Sequence, residues 1–186
     1  MGKPKALLPV RPGGPSFAAQ LCATLLAGGV ADVIVVTRPD DEELGAEIAR
    51  LEARIRVVSN PHPEQGQLSS LLAGLNAADH PGVHGVLVTP VDAPLVRKDT
   101  VIALLSAFGT RRVPLVRAAW HGRHGHPVIF GRAVFDELRR ADPRVGAKVV
   151  VQAHLHEAID VEVDDAGVLH DIDEPDDYAR LMRDQS

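Results

Sequence analysis

The chain has 186 residues, of which 45% are hydrophobic and 24% are charged, and its formal net charge is −5. This length suits one domain with a full core, and the acidic balance argues against a nucleic-acid-binding protein, which needs a basic face. The single cysteine, Cys22, excludes an intramolecular disulfide, and no apolar run is long enough to span a bilayer. The sequence therefore predicts a soluble, cytoplasmic protein that contacts neither nucleic acid nor membrane.

The first half of the chain alternates between helix and strand patterns. Ser16 is placed to cap the first helix, and the run at 33–36 lacks polar alternation, which is typical of a strand buried on both faces. Helices are predicted at 16–27, 40–54, 68–78 and 99–108. Strands are predicted at 33–36, at 55–60 and within 85–94.

The second half is predicted to contain shorter elements. Strands are expected at 113–118 and 127–130, a helix at 132–140, a hairpin-like pair at 159–163 and 168–170, and a last helix after Pro175. Strands and helices that alternate with short connections predict an α/β fold, in which helices cover both faces of a mostly parallel sheet.

Ligands of such folds bind beyond the carboxyl ends of the strands, so residues that follow strands are the first candidates for a site. Asp92 follows the third strand on a loop that Pro90 and Pro94 stiffen. A carboxylate fixed there suits Mg²⁺, which prefers hard oxygen ligands and bridges to substrate phosphates. An aspartate between two prolines is also a common turn former, and both interpretations stay open.

A second group of polar residues follows the second strand. The Asn60 amide could donate to and accept from a base or ribose, and Gly66 precedes a helix start that contains Ser69 and Ser70. A helix start with hydroxyls suits an anion or a base edge. Taken singly, these residues are also ordinary turn and helix-start residues.

The segment "HGRHGH" contains His121, His124 and His126 and raises the possibility of a zinc site. Its interleaved glycines and the lack of an obvious fourth ligand favour a loop instead.

Six segments in order resemble successive motifs of the MobA-like nucleotidyltransferase family, especially its molybdenum cofactor cytidylyltransferases. They are "MGKPKALLPV", "NPHPEQGQLSSLLAGL", "VTPVDAPLV", "GRHGHPVIF", "DPRVGAK" and "DIDEPDDY", and together they run from Met1 to about Tyr178. The resemblance implies a three-layer, Rossmann-like nucleotidyltransferase fold. It also implies transfer of CMP from CTP to the phosphate of a molybdopterin-type acceptor, with release of pyrophosphate.

The resemblance further implies roles for individual residues. Lys5 matches the motif lysine that contacts the triphosphate, beside Gly2, and Asp92 matches the Mg²⁺ ligand, with Asp171 as a second metal ligand. Asp173 could also complete the metal shell, but it lies two residues before Pro175, and a helix cap is the favoured interpretation unless the geometry of the site shows otherwise.

The remaining matches concern the nucleotide and the acceptor. Asn60, Gly66, Ser69 and Ser70 match positions near the nucleotide. The acceptor would meet the "GRHGHP" segment, where its phosphate would face Arg123, His124 and His126.

The chain departs from the family at its start. Members begin with a strand and a glycine-rich loop that continues into methionine-glycine-x-proline-lysine, whereas here only that second part is present, as Met1–Lys5. Either the start was assigned late or the protein is a shortened relative. Residues 1–186 are thus predicted to form one amino-terminally incomplete domain. Because each buried unpaired backbone group costs roughly 1–3 kcal/mol, loss of a central strand predicts that the chain is poorly stable or closes the gap by rearrangement.

Nucleotide and acceptor identities rest on overall likeness. Asp92-Ala93-Pro94 stands where cytidylyltransferases often have aspartate-glutamine-proline, so CTP and GTP both remain candidates. A sugar or alcohol phosphate is an alternative acceptor. A non-catalytic module that binds the pterin cofactor and serves a molybdenum hydroxylase is an alternative of another class.

Overall fold

The computed structural model describes residues 4–184, so the predicted nucleotide contact Gly2 lies outside the described residues. The helices are α1 Phe17–Ala27, α2 Glu42–Ile48, α3 Gln67–Ala78, α4 Lys98–Arg111, α5 Phe135–Arg140, α6 Lys148–Ala153 and α7 Pro175–Asp184. The strands are β1 Val33–Thr37, β2 Ile55–Ser59, β3 Gly85–Val88, β4 Leu115–Trp120, β5 Arg123–Gly131 and β6 Ile159–Glu162. Short 3-10 helices lie at Lys5–Leu7, Pro63–Gln65, Arg132–Val134, Leu155–Glu157 and Ala166–Leu169.

The strands form two sheets that are partly parallel. β1 pairs with β2 in parallel, and the second sheet has the order β3-β5-β4-β6. β5 is antiparallel to both of its neighbours, whereas β6 is parallel to β4. The predicted α/β class is confirmed.

Helices cover both faces of the sheets, which gives three layers. One core cluster joins α1, α2 and α4 to β1, and another joins α3, α5 and α6 to β3, β4 and β5. Within β1, Val33 and Val35 belong to the first cluster, whereas Val36 lies against Gly74 of α3. The unbroken apolar run of β1 is thus explained by packing on two faces.

A break separates the two sheets among the described residues. β1 and β3 each pair with a strand on one side only, although Val35 of β1 and Leu87 of β3 contribute to the same core cluster.

The local signals for α1 are confirmed. The Ser16 hydroxyl accepts a hydrogen bond from the Ala19 amide at 3.1 Å, and Gly28 ends the helix. Ser16 also donates to the carboxylate of Glu47 in α2, so this cap joins two helices.

Some predicted boundaries are wrong. The helix predicted at 40–54 ends at Ile48, and Leu51, which seemed to continue its apolar stripe, is 42% exposed. The chain turns there because the Ile55 amide bonds to the Glu52 carbonyl and β2 begins at once with buried Ile55. Helix periodicity in a segment this short does not show where the strand must start.

Two predictions in the second half are also wrong. The loop favoured for "HGRHGH" is instead the turn at His121–Gly122 followed by the start of β5, because residues 123–125 pair with β4. The hairpin partner predicted at 168–170 belongs mostly to a 3-10 helix, and β6 pairs with β4. Helix α6 was not predicted.

Among residues 4–184, no helix combines the length and the apolar character that crossing a membrane requires.

Candidate active site

The loop between β3 and α4 presents Asp92 at the carboxyl end of β3. The backbone carbonyl of Asp92 accepts a hydrogen bond from the Ile172 amide at 2.7 Å, which ties this loop to the carboxyl-terminal segment. The side-chain Oδ1 of Asp92 is buried and has no hydrogen-bond partner among the described residues. Because buried polar atoms are almost always paired, this oxygen is a candidate ligand-binding atom.

Acidic residues from the carboxyl-terminal segment share the space around Asp92. Burial raises the pKa of the Asp92 carboxyl, and the negative charges of Asp171 and Asp173 raise it further. The positive charge of Lys5 acts in the opposite direction. The four side chains therefore interact electrostatically at one place on the molecule.

Lys5 lies in the first 3-10 helix and forms an ion pair. Its Nζ donates to Asp173 Oδ1 at 2.7 Å, and this hydrogen bond is the main cause that lowers the pKa of Asp173. Asp173 is therefore not the cap expected from the sequence. At the start of α7 the Glu174 amide donates instead to Asp177 Oδ2 at 3.1 Å. Lys5 and Asp92 lie on the same side of the molecule.

His126 approaches the same acidic group from β5. Burial lowers the pKa of its imidazole, and the charges of Asp171 and Asp92 oppose that shift. Its Nδ1 is buried without a hydrogen-bond partner in the described part of the chain. A neutral imidazole with an unpaired nitrogen is suited to accept a hydrogen bond from a ligand or donate one to it.

The other two predicted acceptor residues lie elsewhere on β5. His124 Nε2 is 2.9 Å from Asp160 Oδ2, and the same carboxylate accepts two hydrogen bonds from Arg117, at 2.8 and 3.0 Å. Arg123 is exposed at the end of the β4–β5 hairpin. Of the three, His126 alone interacts electrostatically with Asp92.

A cavity of about 380 Å³ opens beside β1 and β2. Asn60 lines it, but its amide is engaged within the protein. Its Nδ2 donates to the hydroxyls of Ser69 and Ser70 at 2.8 and 3.0 Å, and its Oδ1 accepts from the His62 amide at 2.9 Å. Asn60 therefore holds the loop after β2 against the start of α3.

Gly66 and Ser70 both line the cavity, whereas Ser69 faces the loop. The Ser69 hydroxyl lies 2.8 Å from the carbonyls of His62 and Gly66. Gly66 has a φ of +82°, and a Cβ there would meet nothing within 4 Å. The glycine is therefore required by backbone conformation, and the space in front of it is open.

Sequence reasoning missed three lining residues at the carboxyl end of β1 and just after it. Thr37, Arg38 and Asp41 line the same cavity, and Asp41 Oδ2 accepts a hydrogen bond from the Arg38 amide at 3.2 Å. The signal was available, because the rule about carboxyl ends of strands applies to β1 as it does to β2 and β3.

Metal ligands were also sought in the wider structure. Within residues 4–184, no group of three or more His, Cys, Asp or Glu side chains is arranged to hold a metal ion. This excludes the described histidines of "HGRHGH" as a preformed zinc site.

Residues 1–158 match the MobA-like NTP transferase domain family. Among curated proteins, the chain is similar to the purine catabolism protein PucB of Bacillus subtilis (strain 168). The two are 24% identical over 189 residues, and the match covers 98% of this chain and 90% of PucB.

Solved structures show the same fold. Rv0371c of Mycobacterium tuberculosis H37Rv, in a complex with manganese, superposes with a TM-score of 0.77 at 28% identity, and the match covers 98% of this chain and 93% of that one. Molybdopterin-guanine dinucleotide biosynthesis protein A of Archaeoglobus fulgidus superposes with a TM-score of 0.68 at 16% identity, covering 98% and 90% of the chains.

Proposed function

This chain belongs to the MobA-like NTP transferase family and is a nucleotidyltransferase, and we propose that it transfers CMP from CTP to the terminal phosphate of molybdenum cofactor. The observation that carries the proposal is the convergence of Lys5 and Asp92. The Lys5 ammonium lies close enough to act on the pKa of the Asp92 carboxyl, whose Oδ1 has no partner among the described residues. A metal-bound triphosphate needs both kinds of group.

The residues around Asp92 fit a divalent cation, for which we propose Mg²⁺. Asp92 offers a buried oxygen that has no partner in the described structure, and Asp171 contributes a second negative charge beside it. Burial and, secondly, repulsion from Asp171 and Asp173 raise the pKa of Asp92, and a bound cation would offset both effects. Asp92 and Asp171 would hold the metal together with phosphate oxygens. When bound, Mg²⁺ would neutralise charge on the triphosphate and on the leaving pyrophosphate.

The reaction asks the protein mainly for alignment. An oxygen of the acceptor phosphate forms a bond to the α-phosphorus of CTP, while the bond from that phosphorus to the oxygen bridging to the β-phosphorus breaks. Pyrophosphate leaves with that electron pair. No covalent bond to the protein is needed, and the work falls to charge neutralisation by Lys5 and to positioning.

The cavity beside β1 and β2 is the proposed site of the nucleoside. Gly66 and Ser70 would approach the nucleotide directly, whereas Asn60 and Ser69 would act by holding the loop and the start of α3 together. We propose His126 as the nearest contact to the acceptor phosphate. Arg123 and His124 would lie farther from it, toward the start of β5.

The test is pyrophosphate release from CTP and from GTP, each with and without molybdenum cofactor and Mg²⁺. We expect release that requires CTP, the cofactor and the metal together. Release from GTP instead would overturn the choice of base, and release with a sugar phosphate but not with the cofactor would overturn the acceptor. Asp99→Asn, on the exposed first turn of α4, is the matched control for substitutions of Asp92.

A further inference from the structure

Asp41 is the one acidic side chain among the described residues that line the cavity beside β1 and β2. Because this cavity is the proposed site of a nucleoside, a carboxylate in its wall needs an explanation. Its negative charge repels the phosphates of a nucleotide. The part of the ligand that meets Asp41 must therefore be uncharged and must offer hydrogen-bond donors.

The carboxylate of Asp41 is not used to cap helix α2. Asp41 is the residue before α2, where an aspartate usually accepts a hydrogen bond from the first turn, but its side chain forms no such bond. Its Oδ2 instead accepts a hydrogen bond from the Arg38 amide at 3.2 Å. Within residues 4–184, Oδ1 accepts no hydrogen bond, so this oxygen is available to a ligand in the cavity.

The cavity wall near Asp41 suits a flat ring. Leu44 lies three residues after Asp41 and so on the same side of α2, and it lines the cavity together with Ala6 and Ala18. A nucleobase has apolar faces and a polar edge, whereas the polar groups of a ribose are spread around its ring. One carboxylate among apolar side chains is the usual way in which a pocket fixes the orientation of such a base.

We propose that Asp41 is a specificity-determining residue, whose Oδ1 accepts a hydrogen bond from the exocyclic amino group of the nucleobase. Cytosine carries this amino group in the position where uracil carries a carbonyl oxygen. A carboxylate accepts hydrogen bonds and donates none, so it pairs with the amino group and repels the carbonyl. Asp41 thereby selects CTP against UTP. This inference rests on the proposed nucleoside site.

Asp41→Asn separates base recognition from a structural role. The side-chain carbonyl of asparagine can still accept the hydrogen bond from the Arg38 amide, which preserves the loop. Its NH₂ group then donates toward the base, where the carboxylate accepted, and this suits the carbonyl of uracil. A role in base recognition therefore predicts a reversed preference, whereas a role in holding the loop predicts equal losses for both nucleotides.

The experiment is titration of the full chain with CTP and with UTP in Mg²⁺, using wild type, Asp41→Asn, Asp41→Ser and Asp40→Asn. Wild type should bind CTP roughly tenfold to hundredfold more tightly than UTP, the usual contribution of one well-placed contact to a base edge. Asp41→Asn should bind UTP at least as tightly as CTP.

The other two variants are controls. Asp41→Ser keeps a residue that is favoured before a helix, but its side chain is too short to reach the base, so it should bind the two nucleotides equally. Asp40→Asn alters an exposed neighbour that does not line the cavity and should keep the wild-type ratio.

Several outcomes overturn the inference and leave the proposed transferase standing. Wild type that binds CTP and UTP equally is one, and equal losses of both nucleotides in Asp41→Asn are another. If Asp41→Asn changes the ratio of CTP to dCTP affinity but not that of CTP to UTP, Asp41 recognises the ribose and the inference is wrong.

Failure of the proposed function gives a different result. If wild type binds GTP and neither pyrimidine nucleotide, the choice of CTP is wrong, and the comparison becomes GTP against ITP, which lacks the amino group. A smaller preference for GTP in Asp41→Asn would then support the inference, and an unchanged preference would overturn it. If wild type binds no nucleotide, the proposed function fails and this inference fails with it.

Discussion

Two aspartates on loops that contact each other, Asp165 and Asp92, have opposite environments. Asp165, which follows β6, is 4% exposed and accepts hydrogen bonds from the Arg97 amide, the Thr100 hydroxyl and the Gly167 amide at 2.8, 2.6 and 3.0 Å. Asp92 is partly buried, and its Oδ1 has no partner among the described residues. One carboxylate is saturated by the protein, and the other is not.

The loop that carries Asp165 is in contact with the loop that carries Asp92. Arg97, whose amide binds Asp165, ends the loop on which Asp92 stands. Gly167 packs so closely on this loop that a Cβ there would lie 2.5 Å from the Leu95 carbonyl oxygen. The hydrogen bonds of Asp165 thus stabilise the loop between β3 and α4, which carries Asp92. Burial alone does not identify a functional carboxylate, whereas burial without a partner does.

The largest expected effect is on chemistry, at Asp92. Asp92→Ala should slow pyrophosphate release roughly 10²–10³-fold, the usual cost of removing one electrostatic contact to the transition state. Its melting temperature should be equal to that of wild type or slightly higher, because the protein loses a buried charge that it does not pair. Steady-state kinetics and thermal melts measure the two effects. If the Asp92→Ala variant were unfolded, this carboxylate would have a structural role, and the proposed difference between Asp92 and Asp165 would be wrong.

The matching substitution, Asp165→Ala, should affect folding instead. Three donors lose a charged acceptor, but the variant also no longer has to bury that charge. We therefore expect a net loss of roughly 2–4 kcal/mol in the free energy of unfolding, which is less than the sum of three such bonds. Urea unfolding measures it. A variant that unfolds at the wild-type urea concentration would show that the three hydrogen bonds do not hold this loop.

A smaller effect tests how the segment after Asp165 packs against β5. At Gly125, between the two histidines of β5, a Cβ would lie 1.8 Å from the Val168 carbonyl oxygen. Gly125→Ala should therefore destabilise the fold by roughly 1–3 kcal/mol, since backbone must move.

The matched control for Gly125 is Gly109 in α4, where a Cβ would meet nothing within 4 Å. Gly109→Ala should stabilise the protein by roughly 0.5–1 kcal/mol, because alanine loses less backbone entropy in a helix. Equal unfolding free energies for the two alanine variants would contradict the close approach at Gly125.

The smallest effect concerns carboxylates that are paired with a histidine. The Glu137 carboxylate, 2.9 Å from His154 Nε2, is the main cause that raises the pKa of His154 above 6.5, and Glu157 adds to it. Because the folded-state pKa is the higher one, the pair stabilises the protein fully below pH 6.5 and stops doing so as the pH rises through the raised pKa. His154→Gln should therefore lower the melting temperature at pH 6 more than at pH 8.

Glu137→Gln is the partner variant for this pH series, because it removes the main cause of the raised pKa of His154. It should also lower the melting temperature more at pH 6 than at pH 8. A His154→Gln difference that did not change with pH would show that this pair does not contribute to stability by titrating.

The sequence predicted those parts of the site that depend on local order along the chain. Asp92 follows a strand between two prolines, and Ser16 precedes an apolar helix stripe, so both positions could be found from neighbouring residues. The ion pair between Asp173 and Lys5 could not be found in this way. Lys5 is distant from Asp173 in sequence, and "DIDEP" is equally typical of a helix cap.

The sequence also could not show which polar side chains are used in hydrogen bonds within the protein. Nothing local shows that the Asn60 amide is used by Ser69, Ser70 and His62, because those bonds depend on where α3 docks. Leu51 shows the same limit for packing. Its spacing continued the stripe of α2, but the chain had already turned toward β2.

The most direct test of the account is an electron paramagnetic resonance titration of Mn²⁺ with the protein and CTP together. If Asp92 and Lys5 act on one metal-bound triphosphate, wild type should bind Mn²⁺ tightly only when CTP is present. Asp92→Ala should then lose that bound ion, and Asp99→Asn, on the exposed first turn of α4, should keep it. Mn²⁺ binding by Asp92→Ala that equals wild type in the presence of CTP would contradict the account.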